Sequence, residues 1–207
     1  MIVVGIVPAG GSGERLGADR PKAFAVCAGR PMVEWSLDAL RSTCSRIVVA
    51  APPSHLLPGW VEGGPSRSAS VRNALDAAPE ATVVVIHDAA RPLVTPDLVK
   101  RCLDGLSGVD GAIAATPVSD TVHVSASDLL IRDTPDRSTL WAAQTPQVFH
   151  ADALRRAYDS DQEATDEASL VALAGGTVRL VEGPPENIKV TTPTDLRLAE
   201  ALLRERC

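Results

Sequence analysis

The feature that most constrains the fold is the alternation of short apolar runs with amphipathic segments along the chain. Four runs rich in aliphatic and β-branched residues predict buried strands, at 2–7, 46–50, 82–86 and 111–115. Amphipathic spacing predicts helices at 32–42 and 67–78, and Thr95-Pro96-Asp97 is typical of a helix start. Such alternation indicates an α/β fold, in which a mostly parallel Rossmann-like sheet is covered by helices on both faces.

The segment 117–149 follows a different pattern. Val122 and Val124 alternate with polar residues, and Leu129–Asp133 is a second short strand candidate. We interpret 117–149 as a β-arm that protrudes from a single domain of residues 1–207. A two-stranded arm is marginally stable alone, so we expect it to pack on a second copy of the chain in a two-fold dimer. Its apolar surface would come from Leu140, Trp141, Val148 and Phe149.

After the arm, the alternating pattern returns. It predicts helices near 151–158 and 166–174, strands at 177–182 and 187–190, and a final helix opened by Thr192-Pro193. Thr165 is predicted to cap the helix at 166–174. The segment 51–66 is rich in Pro and Gly and is predicted to be largely loop.

The composition excludes several classes of protein. A net charge of −6 argues against a nucleic-acid binder, which normally carries a basic face. No apolar run approaches the roughly 20 residues of a membrane span, and the N-terminus lacks the basic region and cleavage site of an export signal. The four cysteines show neither CxxC pairing nor metal-ligand spacing, so we interpret them as inert thiols. We therefore expect a cytoplasmic protein without nucleic-acid or membrane partners.

The loop Val7–Lys22, VPAGGSGERLGADRPK, follows the first predicted strand and contains four glycines. It lacks the P-loop signature, since Ala18 and Asp19 stand where Lys and Ser or Thr belong. It also lacks the dinucleotide fingerprint, because Leu16 replaces the third glycine. The loop nevertheless combines backbone N–H donors with cations, a combination that suits a triphosphate. Its cations are Arg15, Arg20 and Lys22.

Four polar stretches come directly after predicted strands, at 8–22, 63–70, 87–91 and 187–191. Ligands of open α/β sheets bind beyond the carboxyl ends of the strands, so these stretches are expected to converge at one edge. Lys189 lies in a short apolar run, where a lysine is costly unless it faces an anion. Asp88 suits a ligand hydroxyl, a cation or a neighbouring arginine, while we interpret His87 as structural. The serines of 63–70 suit helix caps or nucleobase contacts, and the pattern leaves both open.

The motifs together are much more specific than any one of them. In chain order they are PAGGSGERLG, PKAF, GRPMVEWSL, GGPSRSASV, HDAARP, SDT, LWAAQTPQVF, ATDEASL and VEGPPENIKVTTPTDL. This series resembles the 2-C-methyl-D-erythritol 4-phosphate cytidylyltransferase family over essentially the whole chain. The resemblance implies a nucleotidyltransferase-type fold and the transfer of CMP from CTP to 2-C-methyl-D-erythritol 4-phosphate. Pyrophosphate would be released, in the non-mevalonate pathway to isoprenoid precursors.

The resemblance also implies roles for individual residues. Nucleotide-binding positions of the family match Pro8, Ala9, Gly10, Gly11, Gly13, Gly64, Ser70, Asp88 and Ala89. Substrate-binding positions match Asp88, Arg91, Thr121, Arg137, Thr145, Thr165 and Lys189. The catalytic cations would be Arg15, Lys22, Arg137 and Lys189. In the family the β-arm reaches a second subunit, so the resemblance implies a homodimer with a shared active site in which Arg137 acts on the partner's side.

A divalent cation, Mg²⁺, is expected to bridge the triphosphate oxygens and to be held mainly by CTP. Asp88 is the protein group that we name as its possible partner. The chain departs from the family pattern at Ala23, where Gln is frequent, and at Pro65, where an acidic residue is common. Its loop 51–62 is also shorter than usual for the family.

The residues fit this chemistry without the family name. A phosphate monoester is already ionised, so its attack on the α-phosphorus of CTP needs no general base, and no Ser-His-Asp or Cys-His set stands out. Two alternatives stay open: a cytidylyltransferase acting on another sugar or alditol phosphate such as ribitol 5-phosphate, and a non-catalytic nucleotide-binding regulator. Retention of all four catalytic cations weighs against the regulator, and the missing third glycine weighs against a Rossmann dehydrogenase.

Overall fold

The computed structural model describes residues 1–11, 13, 16, 21–160 and 164–206. Its strands are β1 (Val3–Pro8), β2 (Val26–Cys27), β3 (Arg30–Pro31), β4 (Arg46–Ala51), β5 (Val61–Glu62), β6 (Val83–Ile86), β7 (Gly111–Pro117), β8 (Val124–Ser125), β9 (Ile131–Asp133), β10 (Trp141–His150) and β11 (Val178–Glu182). Its α-helices are α1 (Met32–Arg41), α2 (Arg67–Asp76), α3 (Pro96–Asp104), α4 (Ala151–Tyr158), α5 (Glu167–Leu173) and α6 (Pro193–Arg206).

Seven strands form one sheet in the order β11-β7-β10-β6-β1-β4-β5. Neighbouring strands are parallel except where β10 is involved, since it runs antiparallel to both β6 and β7. Helices provide the long crossovers that parallel neighbours require, for example α1 between β1 and β4. The predicted mostly parallel sheet is therefore confirmed.

The central strands are buried on both faces, which explains their uninterrupted apolar runs. Along β1, Val3 and Val7 face a core shared with α1 and α3, whereas Val4 and Ile6 face a core shared with α2, α4 and α5. This division follows from the period of two in a strand. Helices therefore cover both faces of the sheet, and its strand ends are left to carry a site.

Side chains cap the starts of α2, α3 and α5. Ser66 caps α2, which is one of the two interpretations left open for the serines, and Thr95 caps α3 as predicted. The prediction that Thr165 caps α5 is wrong by one residue, because Asp166 accepts the N–H of Ser169 at 2.9 Å. Aspartate is a strong cap and also places a negative charge at the positive end of the helix dipole.

The β-arm is shorter than the sequence predicts. Strands β8 and β9 pair antiparallel in it, but β10 lies in the centre of the sheet between β6 and β7. The prediction that the arm extends to 149 is therefore wrong. Val148 and Phe149, which we assigned to the docking surface of the arm, are fully buried in the core of the domain. From here on, the β-arm denotes residues 118–140, between β7 and β10.

The strand predicted at 187–190 does not form, and this fully described segment is irregular. Side-chain and single backbone hydrogen bonds fix it instead of a ladder. The amide of Asn187 donates to the carbonyl oxygen of Thr145 at 2.9 Å, and the N–H of Val190 donates to that of Ala90 at 2.8 Å. These isolated bonds satisfy polar groups of the segment one at a time, so no strand ladder forms.

The described helices do not include one long and apolar enough to cross a membrane. Cys27, Cys44 and Cys102 are buried free thiols. Burial raises their pKa values to about 11, about 11 and about 12 respectively, which suppresses the reactive thiolates at neutral pH. The interpretation as inert thiols is confirmed for these three, and Cys207 lies outside the described residues.

Candidate active site

A cavity of 460 Å³ opens beyond the carboxyl ends of β1, β5 and β6. Its wall consists of Pro8, Ala9, Gly10, Gly11, Lys22, Ala23, Gly64, Pro65, Ser66, Arg67, Ser70, Asp88, Ala89, Ala90 and Lys189. These residues come from all four polar stretches, 8–22, 63–70, 87–91 and 187–191, with Ala23 in addition. The predicted convergence of these stretches at one edge of the sheet is therefore confirmed.

The glycine-rich loop forms one wall with residues that carry little or no side chain. The N–H of Ala9 donates to the carbonyl oxygen of Ala50 at 2.7 Å and so continues the pairing of β1 with β4 beyond Pro8. The N–H of Lys22 donates to the carbonyl oxygen of Gly11 at 2.9 Å, which joins the two ends of the loop. Lys22 therefore reaches the cavity at a fixed backbone position, beside exposed main-chain groups.

Two predicted loop residues do not belong to the described wall. Arg15, predicted as a catalytic cation, lies outside the described residues. Gly13 is buried and has a φ of 79°, a left-handed conformation that favours glycine. Its carbonyl oxygen accepts the N–H of Leu16 at 2.8 Å, so Gly13 shapes the turn of the loop and does not line the cavity.

Gly64 and Ser70 lie together at the start of α2. The Ser70 hydroxyl accepts the N–H of Gly64 at 3.1 Å and donates to the carbonyl oxygen of Ser66 at 2.9 Å. A Cβ atom on Gly64 would lie 2.4 Å from Cβ and 2.9 Å from the carbonyl carbon of Ala69, so no side chain fits there. The bare backbone of this turn consequently faces the cavity at close range, a geometry that suits the edge of a nucleobase.

Asp88 follows β6, and its carboxylate lies between two cations. Nε of Arg67 donates to Oδ1 at 2.8 Å, and Nζ of Lys189 lies 2.7 Å from Oδ2. Burial alone would raise the pKa of Asp88, but the positive charges of Arg67 and Lys189 hold it well below the usual range. Asp88 is therefore ionised at physiological pH, and Lys189 faces an anion, as its apolar sequence context predicts.

Arg67 contacts a second carboxylate on its other side. Its Nη1 donates to Oε2 of Glu167 at 2.6 Å, and the hydroxyl of Tyr158 donates to Oε1 at 3.0 Å. Burial alone would lower the pKa of Arg67, but the charges of Asp88 and Glu167 outweigh it and raise the pKa. We call the connected series Tyr158, Glu167, Arg67, Asp88 and Lys189 the ion-pair chain.

His87 and Thr145 hold the backbone of Asp88. The Thr145 hydroxyl accepts the N–H of Asp88 at 3.1 Å and donates to Nδ1 of His87 at 3.0 Å, while Nε2 of His87 donates to the carbonyl oxygen of Arg91 at 3.2 Å. Burial lowers the pKa of His87 to about 4, so the ring is neutral at physiological pH and carries its proton on Nε2. His87 is structural, as interpreted from the sequence. Thr145, predicted to bind substrate, uses its hydroxyl within the protein and does not line the cavity.

Arg91, also predicted to bind substrate, connects the loop of Lys189 to β10. Its Nη1 donates to the carbonyl oxygen of Asn187 at 2.7 Å, and its Nη2 donates to that of Ala143 at 3.3 Å. The Asn187 amide also donates to Oε1 of Gln144 at 2.9 Å. Arg91 therefore holds the neighbourhood of the site together and does not belong to the cavity wall.

The other predicted substrate residues lie away from the cavity. Thr121 and Arg137 are exposed on the β-arm, where Nη1 of Arg137 donates to the carbonyl oxygen of Ser119 at 2.9 Å. Thr165 is exposed at a second hollow of 750 Å³, which Tyr158 also lines. A single chain thus brings together the predicted nucleotide side and Lys189, but leaves these three residues apart.

The cavity offers little protein-based coordination for a metal ion. Across the part of the chain that the structure describes, no three His, Cys, Asp or Glu side chains cluster as metal ligands. Mg²⁺ normally keeps several waters and binds through one or two carboxylates plus substrate phosphates, so a protein cage is not required. Asp88 is the carboxylate of the described wall and fits such a partial role.

Sequence reasoning missed Arg67 and Glu167, although both carried a signal. Arg67 is the first residue of α2, where a cation opposes the helix dipole and needs an anion nearby. Glu167 shares the apolar face of α5 with Leu170 and Val171, at i+3 and i+4. A carboxylate on a buried face requires a compensating cation.

Known proteins of one family are similar to this chain along its length. The family model for IspD, 2-C-methyl-D-erythritol 4-phosphate cytidylyltransferase, matches residues 3–205. The enzyme of that name from Nocardia farcinica is 44% identical over 223 residues, which cover 99% of this chain and 95% of the relative. The one from a Synechococcus strain is 42% identical over 220 residues, with 97% and 99% covered. The crystal structure of the Thermus thermophilus enzyme of that name has a TM-score of 0.85 and 38% identity, with 99% of this chain and 100% of the other covered.

Proposed function

Because this chain belongs to the 2-C-methyl-D-erythritol 4-phosphate cytidylyltransferase family, we propose that it transfers CMP from CTP to 2-C-methyl-D-erythritol 4-phosphate. The products are 4-diphosphocytidyl-2-C-methyl-D-erythritol and pyrophosphate, in the non-mevalonate isoprenoid pathway. The observation that carries the proposal is the convergence of the glycine-rich loop, Lys22, Asp88 and Lys189 on one cavity at the strand ends. Backbone N–H groups and cations in that place suit a nucleoside triphosphate.

The reaction requires positioning and charge neutralisation more than proton transfer. A phosphate oxygen of the acceptor forms a bond to the α-phosphorus of CTP. The bond from that phosphorus to the bridging oxygen breaks, and its electron pair leaves with pyrophosphate. The attacking oxygen carries no proton, so no base is needed. His87 is neutral and committed to two hydrogen bonds, which supports a mechanism without a histidine base.

Lys22 acts on the phosphoryl group that is transferred. It lines the cavity beside the glycine-rich loop, whose N–H groups would receive the triphosphate. Negative charge builds on the α-phosphoryl oxygens and on the leaving pyrophosphate, and a preorganised cation stabilises that charge in the transition state. Arg15 has the same role in this proposal, on the sequence pattern alone.

Lys189 holds the phosphate of the acceptor. Its ammonium group pairs with Asp88, yet the side chain is still 43% exposed. It can therefore contact an anion in the cavity and keep Asp88 as a neighbour. This shared position places the acceptor phosphate beside the carboxylate that follows β6.

Mg²⁺ is part of the proposal, held by Asp88 together with the phosphates of CTP and water. When bound, the ion neutralises charge on the triphosphate. Asp88 keeps its full negative charge because Arg67 and Lys189 hold it ionised, and an ionised carboxylate is the form that binds a divalent cation.

The β-arm would complete the site from a second subunit. Apolar side chains near its tip are open to solvent, with Leu129 83%, Leu130 59% and Ile131 60% exposed. Clustered exposed apolar side chains are typical of interaction surfaces, and a two-fold dimer would bury the same patch on both chains. We therefore propose a homodimer in which Arg137 of one chain binds the acceptor phosphate in the partner's site.

Pyrophosphate release from CTP, measured with a panel of phosphate acceptors, tests this function. We expect turnover with 2-C-methyl-D-erythritol 4-phosphate to exceed turnover with ribitol 5-phosphate, and CTP to be preferred over UTP and ATP. Faster turnover of ribitol 5-phosphate would reassign the acceptor. Equal use of UTP or ATP would contradict the cytidylyl assignment, and binding of CTP without turnover of any acceptor would favour the non-catalytic regulator.

A further inference from the structure

Glu167 carries the most deeply buried carboxylate of the described chain, with its side chain 1% exposed. We propose that Glu167 is a positioning residue for the cytidylyltransferase reaction, and that it acts by holding Arg67 against Asp88. The inference rests on the proposed function and deepens it, because it adds a residue outside the cavity to the machinery of the same site.

Glu167 cannot contact a ligand directly. It does not belong to the described cavity wall, and both of its carboxylate oxygens are engaged within the protein. Oε2 accepts from Nη1 of Arg67 at 2.6 Å, and Oε1 accepts from the hydroxyl of Tyr158 at 3.0 Å. Glu167 can therefore act on the reaction only through a partner, and of its two partners Arg67 is the one that lines the cavity.

Arg67 requires a second anchor because its position is otherwise poorly constrained. It begins α2, where the helix dipole disfavours a cation, and its side chain is 30% exposed. It lines both the 460 Å³ cavity and the 750 Å³ hollow, so the residue borders open space on two sides. Two contacts at once, from Nε to Asp88 and from Nη1 to Glu167, fix the plane of the guanidinium. With Asp88 alone, the guanidinium could pivot about a single bond.

The charges of the ion-pair chain balance. Arg67 and Lys189 supply two positive charges, and Asp88 and Glu167 supply two negative charges. Loss of the Glu167 charge leaves one positive charge in excess at the cavity. That excess attracts the triphosphate but no longer aligns Asp88, so we expect slower turnover without weaker binding of CTP. This combination separates positioning from simple loss of affinity.

Rigid elements hold the outer end of the chain. Glu167 is the first residue of α5 and Tyr158 is the last residue of α4, and both helices pack on the sheet core. The carboxylate also lies at the positive end of the α5 dipole, which stabilises its charge. The ion-pair chain therefore transmits the position of two packed helices to the carboxylate at the end of β6.

The first test replaces Glu167 by its uncharged isostere. Glu167→Gln keeps the side-chain volume, and we expect kcat to fall by about 10- to 100-fold, the scale of small misplacements in an active site, while KM for CTP stays equal or falls. The matched control is Glu34→Gln, the same substitution at an exposed glutamate in the first turn of α1 that pairs with Arg30 and does not line the cavity. Its kcat should stay within about twofold of that of the unmodified enzyme. A Glu167→Gln protein with unchanged kcat, or one whose KM for CTP rises in step with the loss, would overturn the proposal.

A double-mutant cycle separates positioning from a purely structural role. In an Arg67→Met background, Glu167→Gln should change kcat by less than about twofold, because the residue through which it acts is gone. The double variant also removes the unpaired buried carboxylate that Arg67→Met alone would leave, so it should fold at least as well as that single variant. A full additional loss of kcat in the Arg67→Met background would show another route and overturn the inference.

Tyr158 supplies a readout that does not depend on activity, because it is the one tyrosine in the sequence. With ring-labelled tyrosine, the NMR spectrum therefore reports on Tyr158 alone. CTP should change the chemical shift of this ring in the unmodified protein. In Glu167→Gln the shift should stay the same, although calorimetry shows that this variant still binds CTP. If saturating CTP leaves the Tyr158 signal of the unmodified protein unchanged, the connection from the cavity to Tyr158 through Arg67 and Glu167 is contradicted. The two proposals fail separately: absence of pyrophosphate release by the unmodified protein overturns the function, whereas an active enzyme with an unaffected Glu167→Gln variant overturns only this inference.

Discussion

Charged side chains in the cavity are held by several elements of the same chain, whereas those on the β-arm have few partners in it. Asp88 receives Arg67 from α2, Lys189 from the C-terminal loop and a backbone hydrogen bond to Thr145 on β10. Arg137 donates to one backbone carbonyl oxygen, that of Ser119, within the arm itself. The position of Asp88 is consequently determined by the fold, while that of Arg137 is determined mainly by local backbone.

The apolar residues of the two regions differ in the same way. Val84 and Ile86 of β6 are fully buried beneath the cavity, but Leu129 on the arm is 83% exposed. Substitutions near the cavity should therefore change the properties of each chain by itself. Substitutions on the arm should have little effect on the stability of an isolated chain and should act through the second subunit. Their effects should therefore depend on protein concentration, unlike those of substitutions near the cavity.

The largest effect is expected for Lys22. We predict that Lys22→Ala lowers kcat by about 10²- to 10³-fold with a smaller change in KM for CTP, because one preorganised cation is removed from the transition state. Steady-state kinetics of pyrophosphate release measures both constants. The matched control is Lys100→Ala, an exposed lysine on α3, which should behave like the unmodified enzyme. A near-normal kcat in Lys22→Ala would remove this lysine from the mechanism.

The arm side of the comparison is tested by complementation between subunits. Arg137→Ala and Lys22→Ala chains should each be nearly inactive alone. Mixed with exchange of subunits, they should regain up to about a quarter of normal sites, since random pairing under two-fold symmetry restores one intact site in half of the dimers. Pyrophosphate release before and after exchange measures the recovery. If exchange is demonstrated and no activity returns, Arg137 does not act across the interface.

The cavity side predicts a specific dependence of stability on pH. Burial lowers the pKa of His87 to about 4. The charge of Asp88 raises this pKa, and the charges of Arg91 and Arg67 lower it by smaller amounts. A histidine in the unfolded chain has a pKa of about 6.5. As the pH falls, the unfolded state therefore takes up a proton at a higher pH than the folded state does. The contribution of His87 to the free energy of unfolding is lost as the pH falls from about 6.5 towards 4. Between about pH 7.5 and about pH 5 the free energy of unfolding should drop by about 2 kcal/mol from this group.

Denaturant unfolding at the two pH values measures this change. In His87→Gln the drop should shrink by that amount, because the neutral amide offers a donor and an acceptor without titrating. His123→Gln, an exposed histidine on the β-arm, is the matched control and should leave the pH dependence as it is. An equal reduction in both variants would show that the arm is as tightly integrated as the cavity.

The smallest effect on folding is expected on the arm. Leu130→Ser should change the free energy of unfolding of a single chain by no more than about 0.5 kcal/mol, since the side chain is 59% exposed. The same substitution should raise the dissociation constant of the dimer, which sedimentation of serial dilutions in an analytical ultracentrifuge measures. Leu57→Ser, at a leucine that is 55% exposed elsewhere, should do neither. A large loss of single-chain stability in Leu130→Ser would mean that the arm packs on its own domain.

The sequence predicts the parallel part of the fold and the convergence of the site, because both follow from local patterns. Each parallel strand is an apolar run followed by a polar turn, and parallel strands end at the same edge. The same logic fails for β10, where Gln144, Thr145 and Gln147 interrupt the apolar pattern although all three are buried. Their partners are His87, Asp166 and Asn187, which are distant in sequence. Local periodicity contains no information on such pairs.

Local sequence patterns also cannot predict the ion-pair chain, because its members are distant in sequence. Arg67 and Glu167 are 100 residues apart, and each alone is consistent with an exposed charge at a helix start. The sequence predicts that Lys189 faces an anion, but its local pattern does not identify Asp88, which is distant in sequence, as that anion. The segment 187–190 resembles a strand in sequence because Ile188 and Val190 alternate with polar residues. In the structure Val190 is fully buried and Ile188 partly buried, but hydrogen bonds of Asn187 and not a strand ladder fix the segment.

The register of β7 and β10 shows that the β-arm is an insertion between two directly paired strands. Pro117 and Trp141, which flank the arm, are paired directly across the two antiparallel strands. Antiparallel neighbours can be joined by a two-residue turn, so the 23 intervening residues (118–140) form an insertion whose removal leaves the sheet register unchanged. The length and sequence of this insertion can therefore be changed without a change in the core. An engineered chain with a tight turn between the two strands would be a minimal scaffold onto which arms of other enzymes could be grafted.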